Sequence, residues 1–260
     1  FYKTAWGLFM NRSMALVREP TPGFADAISN HPQNDSIDFG KALNQHRQYV
    51  NALTRAGLSV IHLDPQENFP DAPFVEDPVV MLEDKAVLCS MKAETRRGEG
   101  ESIVSELERY TAIIYMLPPA TLDGGDVLQT EEEIFIGKST RTNLEGVEFL
   151  KAFTKKPITA VPVLDGLHLK SAATYLGDGK IILDSSKVEA TAFNKFQIIE
   201  VSPKESYSAN CLVVGSYVIA PQGYPKLATK IRECGFQVIQ IPMSEFEKAD
   251  GGVTCLSLII

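Results

Sequence analysis

The side chains able to do covalent chemistry in this sequence are few and widely separated. Cys255 heads the apolar run Leu256-Ser-Leu-Ile-Ile260, directly behind the turn Ala249-Asp-Gly-Gly-Val-Thr254. A flexible Gly251-Gly252 pair delivers that thiol to the mouth of a buried strand, which is a place for a nucleophile. A small residue filling a core strand is the other reading, and on this stretch alone the commoner one, because free cysteine is among the most buried residue types. A cysteine nucleophile needs a lowered thiol pKa or a nearby acid/base. Of the four histidines, His46 and His62 fall in a helix and a strand and read as structural. His168 alone of the four begins one of the repeating units of the chain, and is the candidate acid/base. A proton-shuttling histidine is normally held in one tautomer by a carboxylate, and Asp123, in Thr121-Leu122-Asp123-Gly124-Gly125-Asp126, is the candidate.

Charged groups complete the constellation. Asp71, Glu76 and Asp77 crowd into seven residues among Pro70, Pro73 and Pro78. Alone they would read as a solvated loop, but the apolar neighbours Phe74-Val75 and Pro78-Val79 imply burial, and buried carboxylates require a cationic partner. Arg96 and Arg141 follow matching strands and suit a clamp on a carboxylate. Carboxylates for a cation, arginines for an anion and a cysteine-histidine couple together fit an amino acid with a guanidinium side chain.

Composition narrows the classes. With 260 residues and 44% hydrophobic content the chain can bury a large core. A net charge of -8 and a pI near 5.1 argue against nucleic acid or an anionic membrane as partner. No apolar window approaches the roughly 20 residues of a membrane span. The first twelve residues read as a leader or N-terminal extension ahead of one domain over 13–260. Cys89, Cys211, Cys234 and Cys255 show no CxxC pair and no close histidine spacing, so a reducing cytoplasm and no structural metal are expected.

The elements that must position these residues recur. Ser13 to Arg18 reads as a strand, residues 24–39 as a lid-like loop, residues 40–55 as a helix with Leu43, His46, Val50 and Leu53 at helical spacing, and Ser59 to Leu63 as a strand. A unit then repeats: a polar residue, a short apolar strand, a polar turn, a second strand and a helix. From Asp77 to Asp126, His168, Asn210 and Cys255 the intervals are 49, 42, 42 and 45 residues. Periods of this size indicate circular or stacked arrays. A five-bladed α/β ring is expected, with hairpins inside and helices outside. Asp77, Asp126, His168, Asn210 and Cys255 would then begin equivalent strands and face one central cavity.

Six collinear stretches, Asn68-Phe-Pro-Asp71-Ala-Pro-Phe-Val-Glu76-Asp77, Ala120-Thr-Leu-Asp123-Gly-Gly-Asp-Val-Leu, Arg141-Thr-Asn143, Gly166-Leu-His168-Leu-Lys170, Ala209-Asn-Cys211 and Asp250-Gly-Gly-Val-Thr-Cys255, closely resemble the dimethylarginine dimethylaminohydrolases of the pentein superfamily. The resemblance runs from about Ala15 to the C-terminus. It implies a five-bladed pseudo-symmetric α/β propeller (the pentein fold) with a central active-site cavity. It also implies hydrolysis of dimethylarginine or monomethylarginine to citrulline and the methylated amine, without cofactor or metal. The implied partner is that small substrate, with a homodimer as the assembly allowed for.

Carried over residue by residue, Cys255 matches the nucleophile, His168 the general acid/base and Asp123 the residue that orients it. Asp71 matches the ligand of the substrate α-amino group, and Glu76 and Asp77 the acidic pair, with Asp77 at the guanidinium. Arg96 and Arg141 match the α-carboxylate ligands, Ile28 a lid position that is leucine in relatives, and Ala249 a position whose backbone meets substrate. One departure bears on the choice of substrate. Arginine deiminases carry an aspartate two residues after the histidine, where this chain has Lys170. A dimethylated nitrogen has no N–H for such a carboxylate, and an unpaired buried carboxylate costs on the order of 1–3 kcal/mol or more. A related guanidine or ureido hydrolase, such as an arginine deiminase or citrulline hydrolase, is the nearest alternative, and a non-catalytic amino-acid-binding protein is the alternative of another class.

Overall fold

The computed structural model describes residues 13–260, so the expected leader lies outside the described residues. Short β-branched runs alternate with polar turns along the chain, and each run forms a strand three to five residues long, except the two-residue strand at the C-terminus. The opening unit places β1 (Met14–Arg18) parallel to β2 (Ser59–Leu63), joined through helix α1 (Phe39–Arg55). Asp38 caps that helix, its carboxylate accepting the Lys41 N–H at 2.8 Å. The inward stripe is Ala42, Gln45, His46, Tyr49, Ala52 and Leu53. Leu43 and Val50, expected on that stripe, are half-buried at its edge.

Each later unit is an antiparallel hairpin followed by a crossover to a parallel third strand. The second holds β3 (Val79–Met81), β4 (Lys85–Leu88), α2 (Glu101–Leu107) and β5 (Ala112–Tyr115). The third holds β6 (Val127–Gln129), β7 (Ile134–Lys138), α3 (Leu144–Lys151) and β8 (Ile158–Pro162). In the fourth, β9 (Ala173–Gly177), β10 (Lys180–Leu183) and β11 (Gln197–Glu200) are linked by a single 3-10 turn, Ala190–Phe193, in place of a helix. The fifth has β12 (Leu212–Val214), β13 (Tyr217–Pro221), α4 (Pro225–Glu233) and β14 (Gln237–Ile241). Its two-residue hairpin loop places Gly215 at φ 57°, the left-handed region that such tight turns favour. After α5 (Ser244–Glu247), β15 (Leu258–Ile259) returns to β1 in antiparallel register, Ala15 opposite Ile259. The truncated last unit and the opening unit are therefore one blade, and the ring closes on itself.

Five three-stranded sheets result, as the five-bladed α/β propeller requires. The third strands were absent from the expected hairpin-and-helix unit. Burial explains the ring: it is divided into five apolar clusters, each formed largely by two successive blades. Leu16 and Leu63 of the first blade meet Val79 and Ala86 of the second, Val80 and Val87 meet Leu122 and Ile134, and so on to Ile219 and Ile241 against Ala15 and Val17. At about 1.5–3 kcal/mol per fully buried large apolar side chain, these inter-blade wedges fix every inner strand around one axis.

The five polar residues expected to begin strands sit just before them. Asp77 precedes β3 by two residues, Asp126 directly precedes β6, and His168, Asn210 and Cys255 lie in the turns leading to β9, β12 and β15. Irregular backbone there lets side chains converge, whereas strand residues alternate between faces. Among the described residues no helix is long and apolar enough to cross a membrane.

Candidate active site

Three single-turn 3-10 segments hold the reactive groups over the ring axis: Gly124–Asp126, Leu169–Ser171 and Thr254–Leu256. The buried imidazole of His168 lies with Nε2 3.1 Å from Asp123 Oδ2 and Nδ1 3.8 Å from Asp77 Oδ1. Burial alone would lower its pKa, but Asp77, Asp123 and Asp126 outweigh that and lift it to about 9. The ring is therefore an imidazolium at neutral pH. Gly125 is required beside it, because a Cβ there would stand 2.5 Å from His168 Nδ1 and 2.9 Å from Asp77 Oδ1. Its N–H donates to Asp77 Oδ1 at 3.1 Å.

Asp126, wholly buried, holds this corner from behind. It accepts Ser139 Oγ and Thr142 Oγ1, both at 2.6 Å, and the Leu169 N–H at 2.9 Å. Thr142 Oγ1 also accepts the Asp123 N–H at 3.3 Å. One carboxylate thus ties the Asp123 turn to the His168 turn.

Arg96 is placed differently from the expected clamp. Its guanidinium is buried, with Nη1 2.7 Å from Asp77 Oδ2 and Nη2 2.8 Å from Glu99 Oε2. Nε also donates to Glu99, and Nη2 to the Phe74 carbonyl at 3.3 Å. A cation this deep must be matched by nearby acids, so Arg96 is largely spent on Asp77 and Glu99 instead of standing free beside Arg141. Two carboxylates share this one guanidinium. Burial opposes ionisation of both, yet His168 and Arg96 hold Asp77 below its ordinary value, while burial lifts Glu99 to about 7. The negative charge is concentrated on Asp77. Arg141 is the freer guanidinium: its Nη1 has no hydrogen-bond partner among the described residues and lies 4.0 Å from Asp123 Oδ2.

Glu76 is paired on the axis. Lys170 Nζ lies 2.5 Å from its Oε1, and Thr254 Oγ1 donates to Oε2 at 2.7 Å. Asn210 in turn takes the Thr254 N–H at 3.0 Å and donates to the Lys170 carbonyl at 2.9 Å. Cys255 is half-buried, and Sγ accepts the Gly252 N–H at 3.3 Å. Burial pushes the thiol up, with Glu76 and Asp77 adding to it, so the free site holds a protonated thiol. Gly252 admits no Cβ, which would stand 2.5 Å from the Asn210 side chain. The double glycines expected to approach a ligand thus also approach the site's own side chains.

The lid lies over the mouth as two short 3-10 turns, Pro22–Asp26 and Asn34–Ser36. Between them the Ile28 N–H meets both oxygens of Asp71 at 3.2–3.3 Å, and the Asn30 N–H donates to Asp250 Oδ2 at 2.7 Å. Asp250 holds a positive φ of 55°, rare outside glycine. Burial raises the pKa of Asp71 against the pull of Arg96. The Ile28 side chain is 38% exposed, and Ala249 is buried with its N–H on the Phe246 carbonyl at 3.0 Å. Asp77, Asp123 and His168 bring ligand atoms within 4.8 Å of one another and form a set able to hold a cation. Their mutual hydrogen bonds and charges already account for that proximity.

The family model for eukaryotic N,N dimethylarginine dimethylhydrolase matches residues 18–259. The chain belongs to this family. It is 36% identical over 248 residues to the N(G),N(G)-dimethylarginine dimethylaminohydrolase of Pseudomonas aeruginosa, covering 94% of this chain and 97% of that one. It is also 36% identical to the enzyme of that name from Streptomyces coelicolor, covering 96% and 97%. A solved variant of the Pseudomonas aeruginosa enzyme in complex with citrulline superposes with a TM-score of 0.91 at 34% identity, covering 96% of this chain and 99% of that one.

In this dimethylarginine dimethylaminohydrolase family member Glu99 and Thr254 take parts that the sequence did not assign, and Lys170, singled out there only as standing at the aspartate position of arginine deiminases, takes a partner. Glu99 grips Arg96 from three residues on, a spacing that charge patterning could have revealed. Thr254 and Lys170 both close on Glu76, and no spacing rule links positions 94 and 178 residues away. Beneath that trio lies an axial cavity of about 160 Å³, walled by apolar residues of the inner strands such as Val79, Val127, Ala173, Leu212 and Leu258. Glu76, Lys170 and Thr254 are among the polar residues that line it.

Proposed function

We propose that this chain hydrolyses N-omega,N-omega-dimethyl-L-arginine, and monomethyl-L-arginine, to L-citrulline and the corresponding amine, with residues 13–260 acting as one catalytic domain. The observation that carries this reading is the His168 imidazolium held between Asp123 and Asp77 at the same axis as a protonated Cys255. Four blades supply Cys255, Asp77, Asp123 and His168, and Asn210 of the fifth holds the Thr254 and Lys170 backbone beside them.

The substrate's guanidinium meets Asp77, the carboxylate kept ionised by Arg96, while Lys170 neutralises Glu76. Arrival of that cation lowers the cost of ionising the thiol, and its proton is released as substrate binds. Cys255 Sγ attacks the central carbon. The C–N bond to the methylated nitrogen breaks, its electron pair stays on nitrogen, and His168 supplies the proton. Nδ1, on the Asp77 side, is the edge left for transfer because Asp123 holds Nε2. The neutral imidazole then takes a proton from water, the hydroxide adds to the S-linked intermediate, and the C–S bond breaks with the hydroxyl proton passing to the departing thiolate, which leaves citrulline and restores the thiol.

At the amino-acid end, Asp71 takes the α-amino group, with the Ile28 backbone of the lid over it and the Ala249 carbonyl beside it. Arg141 carries the α-carboxylate, and Arg96 contributes chiefly through Asp77. A reducing cytoplasm suits an enzyme that depends on a free thiol. The test is citrulline formation from dimethylarginine, monomethylarginine and arginine, with dimethylamine, methylamine and ammonia measured separately. Turnover of a methylated substrate that disappears in Cys255→Ser supports the reading; absence of citrulline from any methylarginine overturns it.

A further inference from the structure

A second cavity, of about 350 Å³, opens on the thiol side of the ring, between the His168 loop and the Gly251-Gly252 turn. Gly166 and Leu167 line it just ahead of His168, and Gly252, whose N–H touches Cys255 Sγ, lines it on the other side. It therefore adjoins both groups between which a leaving nitrogen must depart.

Its deeper wall is aromatic and acidic. The rings of Tyr207 and Tyr224 stand 6.4 Å apart at 42°, with Tyr207 fixed by donating to the Gly251 carbonyl at 2.8 Å. Glu247 lines the same cavity half-buried, and its carboxylate makes no hydrogen bond or ion pair among the described residues. Asp250, also lining it, is engaged by the lid through Asn30. Two lysines share the lining: Lys187 lies 3.9 Å from Asp165, and Lys204 is exposed. Neither pairs with Glu247; His31, also in the lining, acts on that carboxylate electrostatically and favours its charged form against the burial that opposes it. Aromatic faces beside a carboxylate are the chemistry that recognises methylated ammonium ions.

We propose that this cavity receives the alkylammonium ion released at His168 and holds it between Glu247 and the Tyr207–Tyr224 pair on its way out. The inference rests on the hydrolase reading only for the origin of that ion. The departing amine leaves with one proton from His168, and a second from solvent makes it a cation, because alkylamines resemble lysine in basicity. Removal past the lid-bound Asp250 clears the space beside His168 for the incoming water.

The test uses dimethylammonium chloride as probe, titrated against the whole protein with citrulline present to fill the guanidinium position, and reads broadening of its methyl proton resonance. Sodium chloride at equal ionic strength is the control. Binding in about the millimolar range is expected for so small a ligand. It should weaken roughly fivefold to tenfold in Glu247→Gln and likewise in Tyr224→Leu. Undetectable binding to the unaltered protein, or binding by both variants as tight as that of the unaltered protein, overturns the proposal. So does binding lost in Asp77→Asn but kept in Glu247→Gln, which would put the cation at the guanidinium position instead. Because this readout needs no turnover, it can succeed when the citrulline assay fails, and fail when that assay succeeds.

Discussion

His168 and His46 are both almost wholly buried, yet they end in opposite states. His168 lies on the ring axis between Asp77 and Asp123 and is raised to about 9. His46 lies on α1, packed near Tyr49 and Phe246, with neither ring nitrogen hydrogen-bonded, and burial lowers it to about 4, with His62 and Arg47 adding to the effect. Burial is common to the two and favours the neutral ring in both, so it does not set the difference between them; the carboxylates do. A buried imidazole becomes a proton carrier only where the fold surrounds it with negative charge.

The widest separation should appear in turnover. His168→Gln should lower citrulline formation by roughly 10²–10⁴ while substrate still binds, whereas His46→Gln should leave it nearly unchanged; equal losses would erase the contrast. Next in size, Asp123→Asn or Gly125→Ala should cost on the order of 10² in kcat, by freeing the imidazole or displacing it. For Asp123→Asn the alkaline limb of the pH–rate profile should also move to lower pH, and an unmoved limb would remove Asp123 from the charge balance.

Stability against pH separates the two histidines further. His168 is raised in the folded state, so its contribution is complete below about 6.5 and is lost as pH rises through about 9. His46 is lowered, so its penalty is absent above about 6.5 and grows as pH falls toward about 4. Each difference from 6.5 corresponds to on the order of 3 kcal/mol. Denaturant melts across pH should show the alkaline loss flattened in His168→Gln and the acid loss flattened in His46→Gln. The smallest effect concerns His46 alone: His46→Leu removes two unpaired nitrogens from the core and should stabilise by about 1 kcal/mol, a rise of roughly 2–4 °C in Tm. A lower Tm would mean that the ring fills its space better than leucine.

Much of the fold was legible because hairpins announce themselves locally. Val79 to Leu88 and Val127 to Lys138 show apolar runs broken by polar turns, and the 42–49 residue spacing of Asp77, Asp126, His168, Asn210 and Cys255 follows from one hairpin and one crossover per blade. The third strands, β5, β8, β11 and β14, were not legible. Their residues are largely half-exposed, so they lack the continuous apolar signature of a buried strand. The polar residues were read as strand starts, whereas they occupy turns, because periodicity locates a unit without fixing the backbone at its edge.

The sequence by itself determined the inventory: a thiol and an imidazole at corresponding places in a repeat, paired glycines beside the thiol and beside Asp123, and an excess of acid that had to find cations. Only the tertiary structure decided the pairings. Arg96 turned to Asp77 and Glu99, leaving Arg141 with an Nη1 unpartnered among the described residues, and Lys170 closed on Glu76 from 94 residues away. The physical reason is that charge and pKa depend on distance and dehydration in space, and neither is written in the order of the residues.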